Sequence, residues 1–324
     1  MGTRPNRECS GKRLPAGAKQ LEDITMIETK FRAMNSSILL SGMDLDAHLQ
    51  IKKMIVDFEQ KASRFIPENQ LAFVNHSPLD VPIYLDSTLA ELLDRSLQLA
   101  RRSDFYVHPF LGKEMRANGY TESFHEQYQP VFTGFAEKHF SREPIERLSK
   151  SWIIKKRDFH FDFGGFGKGY IINEGIKHLK QKGVNRFLIN AGGDLAVLGS
   201  YEVGIEHPVL MGEDMIKLSI TDKALVTSGK NYRRWTRGNQ EYHHILNGRT
   251  GEPAFNGVLQ ASVIANTAME AETAAKLLCI LPFDEAKAML YRNFPRIAYF
   301  VYFEKDKIAI GGDTRLYKRL EAAK

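Results

Sequence analysis

The sequence predicts an α+β fold, with mixed, largely antiparallel sheets flanked by helices. Three observations carry that reading. Segments of helical and strand periodicity succeed one another irregularly, not as a clean βαβ alternation. Short strand-like runs follow each other at Tyr201–Glu206, Ile216–Ile220 and Ala224–Thr227, and the chain closes on a hairpin pattern, Ile297–Phe303 and Ile308–Gly311. With 324 residues, 43% apolar and 26% charged, there is material for a large core.

Taken in order, residues 1–25 mix Pro, Gly, Lys and Arg without periodicity and read as a disordered leader, with Met26 a second candidate start. Residues 26–324 read as one domain of two intimately packed lobes. A first strand is expected over Phe31–Leu40. Asp44–Arg64 predicts a helix with Ala47, Ile51, Met54, Ile55, Phe58 and Ala62 on one side. A second helix over Ser87–Arg102 aligns Leu89, Leu92, Leu93, Leu97 and Ala100, with Ser87 as its N-cap. Residues 103–157 are the least regular part.

Asp158–Phe163 then alternates polar and aromatic residues, as a half-buried strand does. Four glycines fall within Gly164–Gly169, and Ile172, Ile176 and Leu179 mark one helix face beyond them. Strand, glycine-rich turn and helix in that order aim backbone N–H groups and a helix N-terminus at one spot, a seat for phosphate. The competing reading is a tight turn without a ligand. The spacing matches neither G-x-G-x-x-G nor a Walker A loop, since Gly169 follows Lys168. A further strand from Arg186 runs into Gly192-Gly193-Asp194, where paired glycines beside an acid suit close backbone approach to a ligand or, equally, a simple bulge. His243–Pro253 is a strand entering a turn, and Gln260–Ala265 is an apolar strand. Thr267–Ile280 predicts a helix capped by Thr267, and Asp284–Arg292 the last one.

Composition excludes several classes. The net charge is +6, dense at Lys150–Arg157 and near the C-terminal end, but no aromatic-basic interleaving accompanies it. That favours a solvated basic face and no nucleic-acid partner. Two cysteines, Cys9 and Cys279, make neither a disulfide framework nor a metal cluster. No apolar stretch precedes Cys9 and no run approaches 18 apolar residues, so no membrane anchor is expected and the chain reads as cytoplasmic.

Five motifs, in order, resemble the ApbE family, the FAD:protein FMN transferases. Met34-Asn35-Ser36 is similar to its Met-Gly-Thr, and Ser63-Arg64-Phe65 with Asn75 to its Ser-x-aromatic segment and following asparagine. Asp162-Phe163-Gly164-Gly165-Phe166-Gly167-Lys168-Gly169-Tyr170 looks like its Asp-Leu-Gly-Gly-Ile-Ala-Lys-Gly-Tyr. Asn190-Ala191-Gly192-Gly193-Asp194 matches outright. Thr227-Ser228-Gly229, His244-Ile245 and Arg249-Thr250-Gly251 stand where the family has Thr-Ser-Gly and His-Ile-Ile-Asp-Pro-Arg-Thr-Gly.

The resemblance implies FAD as substrate, Mg²⁺ as cofactor, and transfer of the FMN half to a Ser or Thr of an acceptor flavoprotein, with AMP leaving. The target pattern would be Asp-x-x-(Ser/Thr)-Gly-Ala-(Ser/Thr), of which this chain holds no copy. It implies FAD contacts at Met34, Phe65, Asn118, Gly119, Tyr120, Asp162, Lys168, Gly192, Gly193, Asp194, Ser228 and Ile245. It implies His244 as proton acceptor and a metal at Gly165, Glu272 and the position of Lys276. Four departures stand out. Glu272 replaces Asp, and Lys276 replaces the Thr ligand, so that an i, i+4 ion pair can form where a metal is expected. Asn247-Gly248 replaces Asp-Pro, and His108 stands at the Asp of a Phe-Asp-Pro segment. Two alternatives follow: a relative that binds FAD with weak or lost transfer, Lys276 supplying charge in place of metal, and, more distantly, a nicotinamide-dependent oxidoreductase.

Overall fold

The first strand resolves into a hairpin. Ile27–Ala33 and Ser36–Gly42 pair antiparallel with Ala33 opposite Ser36, and Met34 and Asn35 at the tip both have φ of 54°. Two consecutive left-handed residues make the turn whose twist matches that of the strands it joins. Asn adopts this conformation readily. Met34 is held in it by its N–H, which donates to Glu59 Oε1 at 2.7 Å. The pattern from Phe31 to Leu40 gave no hint of the reversal, because the turn carries no glycine.

The computed structural model describes residues 26–125, 128–133, 143–210 and 212–322; the leader expected over 1–25 lies outside them. Eight strands form the main sheet, in the order Ile27–Ala33, Ser36–Gly42, Phe187–Ala191, Asp194–Leu198, Ala224–Gly229, Val258–Ala265, Ala298–Phe303 and Ile308–Gly312. The helices among the described residues are α1 (Leu45–Ala62), α2 (Gln70–His76), α3 (Ser87–Arg102), α4 (Gly112–Ala117), α5 (Gly167–Gln181), α6 (Ala268–Ile280) and α7 (Phe283–Asn293). Every described strand pair is antiparallel. The α+β reading therefore holds, and the parallel βαβ unit that a nicotinamide enzyme needs is absent among the described residues.

The sheet is covered on both faces, which explains why its central strands read as continuous apolar runs. Ala196, Val226, Val263 and Val301 face the helices. Their neighbours Leu195, Leu225, Ile264 and Phe300 face a second layer with Val203, Ile205, Leu218 and Ile220. That layer is a three-stranded sheet of Ser200–Glu206, Asp214–Thr221 and Lys318–Ala322. On the helical side, α6 packs on the two central strands Ala224–Gly229 and Val258–Ala265, and on α5, which in turn meets α1. Helix α6 is apolar nearly all round and buried, with Cys279 fully in the core as expected.

Some local expectations need correction. Helix α3 starts on Asp86, whose Oδ1 accepts the Leu89 N–H at 2.8 Å, one residue before the expected Ser87 cap. Thr267 does cap α6. Asp158–Phe163 forms no strand and belongs to no sheet, although Phe159, Phe161 and Phe163 are buried as its alternation requires. Its backbone is satisfied by other groups: Asn75 bonds both the N–H and the C=O of Phe161, Pro109 O accepts from Asp162, and His160 O accepts from Gly112. Nor is Lys150–Arg157 a wholly solvated face. Lys155 turns inward, its Nζ donating to the carbonyls of Asn75 at 2.9 Å and Ser77 at 3.3 Å. No helix among the described residues is long and apolar enough to cross a membrane.

Candidate functional site

Helices α5 and α6 cross so closely that only glycine fits at the crossing. A Cβ on Gly169 would lie 2.8 Å from Met269 N and 2.9 Å from Glu272 Oε2. In place of a side chain, the Gly169 N–H donates to Glu272 Oε2 at 3.2 Å. The glycine run thus seats α5 against α6, and its amides are largely used internally. Those of Phe166 and Gly167 donate to Phe163 O, and that of Gly164 donates to Asp162 Oδ1. The expectation of a backbone phosphate cradle is corrected accordingly: the loop's contribution to the site is a shape and the Lys168 side chain.

Two depressions meet above this crossing. The first, about 1160 Å³ and open to solvent, is lined by Met34, Phe65, Tyr120, Asp162, Gly165 and Ile245, together with Arg64, Phe163 and Met115. The second, about 1440 Å³, is lined by Gly192, Gly193, Asp194, Ser228 and Glu272 with Asn190 and Thr227. Gly164, Lys168, Arg233, His244 and Lys276 line both, so they form the seam. Gly192 and Gly193 reach the second depression as the turn of a hairpin, with φ of 68° and 91°, closed by Asn190 Oδ1 accepting the Gly193 N–H.

Of the residues singled out from the sequence, all but two line these walls. Asn118 and Gly119 stand behind them. Asn118 donates to the carbonyls of Glu114 and Gly251, and its own carbonyl accepts from Trp235 Nε1. Gly119 lies under the same indole. Sequence reasoning missed two cations. Arg64 sits inside a quoted motif and pairs with Asp162 at 2.9 Å, its guanidinium over the rings of Phe65 and Tyr120. Arg233 lies in a stretch to which no pattern assigned an element.

Of three histidines in or near the seam, two are locked to the backbone and one faces the seam. His108 is buried; its Nε2–H donates to Gly248 O at 2.9 Å while Nδ1 accepts the Phe110 N–H at 3.2 Å. One donor and one acceptor are what a neutral ring offers, and burial pushes its pKa down to about 4. The Gly248 N–H donates to Tyr106 O, a bond that proline cannot make. His108 and Asn247-Gly248 are therefore one coupled departure from the family pattern. His243 repeats the arrangement, with Ala254 O and the Ile245 N–H as partners, and burial lowers it to about 4 as well. His244 points into the seam. Its Nδ1 faces Arg233 O at 3.4 Å, which places the proton there and the lone pair on Nε2. Burial holds it well below the ordinary histidine value, aided by the positive charges of Arg233 and Lys276 and by His243.

The residues present do not fit a divalent cation at the expected place. Lys276 Nζ lies 3.0 Å from Glu272 Oε1, and the carboxylate's other oxygen takes the Gly169 N–H. The Lys276 side chain runs over Gly165, with Cε 3.3 Å from where a Cβ would be. An ammonium cannot be a ligand, and it repels a second cation at this range. Among the described residues no group of three His, Cys, Asp or Glu is placed to hold a metal.

Known proteins of similar sequence and shape agree with the motifs. An FAD:protein FMN transferase of Klebsiella pneumoniae is 24% identical over 282 residues, covering 85% of this chain and 89% of its own length. One of Treponema pallidum is 24% identical over 280 residues, 79% of this chain and 76% of its own. The crystal structure of an ApbE protein from Thermotoga maritima superposes with a TM-score of 0.79 at 19% identity, covering 91% of this chain and all of that one. The apo flavinyl transferase ApbE of Pseudomonas stutzeri gives 0.75 at 17%, covering 90% and 95%. With the ApbE family model matching residues 25–301, the chain belongs to the ApbE family.

Proposed function

We propose that the chain transfers the FMN half of FAD to a Ser or Thr hydroxyl of an acceptor flavoprotein. The observation that carries this reading is the seam, where a neutral histidine and three cations line both depressions at once. The first depression offers apolar and aromatic walls for the flavin, with Met34, Phe65, Tyr120, Asp162 and Ile245 as contacts. The second depression holds Gly192, Gly193, Asp194 and Ser228, the contacts proposed for the rest of FAD. Relatives named FAD:protein FMN transferases support the substrate assignment.

In the reaction the acceptor hydroxyl oxygen bonds to the flavin-side phosphorus as the bridging P–O bond breaks. AMP leaves with that electron pair. The hydroxyl proton goes to Nε2 of His244, neutral at pH 7 because its pKa is lowered. Lys168, Arg233 and Lys276 meet the charge on the diphosphate oxygens, so the protein's part is positioning and electrostatics.

The test mixes purified protein, FAD and an acceptor carrying Asp-x-x-(Ser/Thr)-Gly-Ala-(Ser/Thr), and reads in-gel flavin fluorescence on the acceptor. His244→Ala should cost about 10²-fold or more in rate with FAD affinity unchanged. FAD binding without transfer by the wild type sinks this reading and leaves a flavin-binding relative.

A further inference from the structure

We infer that the Lys276 ammonium, held by Glu272, takes the place of a divalent cation, so that this protein binds the FAD diphosphate without metal. The inference rests on the transferase reading and deepens it. Its geometry is fixed by three contacts. Glu272 is buried on α6 with one oxygen on the Gly169 N–H and the other on Lys276. The lysine stem lies over Gly165, the position whose carbonyl is expected to face a metal. The Lys276 side chain, 16% exposed against 2% for that of Glu272, reaches the seam shared by both depressions.

A buried ion pair rarely stabilises a fold more than apolar residues of similar size, because desolvating two charges offsets most of their attraction. Beyond its first turn, where Glu270 pairs with Arg102, helix α6 is apolar and alanine-rich but for Thr273, so a buried Glu–Lys pair within it calls for another reason. One of three ammonium donors goes to Glu272. The open side faces where a diphosphate would lie, beside Lys168 and Arg233. Three single charges from the protein then match the anionic ligand, and Glu272 orients one of them instead of binding a metal.

The experiment uses the whole chain and measures FAD affinity by flavin fluorescence in EDTA and in excess Mg²⁺, with riboflavin, which has no phosphate, as control. Transfer is followed in the same two buffers. The wild type should bind FAD within about twofold in both and transfer in both. Lys276→Met should weaken FAD at least about tenfold and leave riboflavin binding as it was; Lys276→Arg should recover most of the loss. Should Lys276→Met lose riboflavin too, the arginine variant decides, and its failure to bind FAD counts against the inference. Wild-type binding or transfer that collapses in EDTA and returns with Mg²⁺ overturns the metal-free site while leaving the transferase reading intact. FAD binding in neither buffer overturns both.

Discussion

Two buried lysine–carboxylate pairs flank the seam, and their likeness in exposure hides a difference in construction. Lys168 with Asp194 and Lys276 with Glu272 have side chains exposed by 17% and 3%, and by 16% and 2%. The first pair ties the start of α5 to the start of the strand Asp194–Leu198, with Lys168 on Asp194 Oδ2 while Asp194 Oδ1 has no hydrogen-bond partner. The second pair lies within one helix, and its carboxylate has a backbone N–H in addition. One pair therefore joins elements of the fold. The other is a local fixture that presents a charge to the cleft.

The sharpest way to break that comparison is to remove each lysine. Lys168→Met leaves Asp194 buried with neither oxygen bonded, so urea unfolding should show a loss of about 3–5 kcal/mol. Adding Asp194→Asn should restore part of it. A loss under about 1 kcal/mol would mean the pair does not tie the elements together. Glu114 shows what a buried carboxylate does without such a bond. Its Oε2 has no hydrogen-bond partner, and burial pushes its pKa up to about 7. The unfolded chain releases this proton near 4.5, so the cost of folding is absent below that value, grows up to about pH 7 and is constant above. Glu114→Gln should then gain about 1–3 kcal/mol at pH 8 and nothing at pH 4, read from unfolding at both. An equal change at the two pH values would refute the burial effect. Lys276→Met comes next, with a loss of about 1–2 kcal/mol, because Glu272 keeps its Gly169 bond. A loss as large as that of Lys168→Met would erase the distinction between the pairs.

How far each pair was legible in the sequence differs for the same physical reason. Lys168 and Asp194 sit inside motifs whose residue types are dictated by close approach, as Gly169 against Met269 shows. The sheet strands read well where apolar runs are covered on both faces, as in Val258–Ala265. Hidden from the sequence were features set by distant partners. Asn75 satisfies Phe161 from 86 positions away, so an alternating segment that looks like a strand joins no sheet. The Met34-Asn35 turn depends on Glu59. His108 and Gly248 look like two separate departures until the fold brings them within 2.9 Å. Lys276 was visible as an oddity, and only the fold seats its side chain over Gly165.

The smallest expected effect is also the most selective. The pKa of His244 is lowered first by burial, then by Arg233 and Lys276 and by His243; Lys168 is not among the charges acting on it. A base must be neutral to accept the acceptor's proton, so wild-type kcat should hold as pH falls through the ordinary histidine value of 6.5 and decline only below it. Removing a positive neighbour makes protonation easier, which raises the pKa. Lys276→Met should therefore move the acid limb of the kcat–pH profile upward, and Lys168→Met should leave it where it was. An NMR titration of the His244 ring separates this from any change in folding, with His243 as a control locked by its two backbone bonds. If both lysine variants shift the limb equally, the two pairs act on the seam as one field, and the division between a lysine that also ties two elements together and one held within a single helix fails.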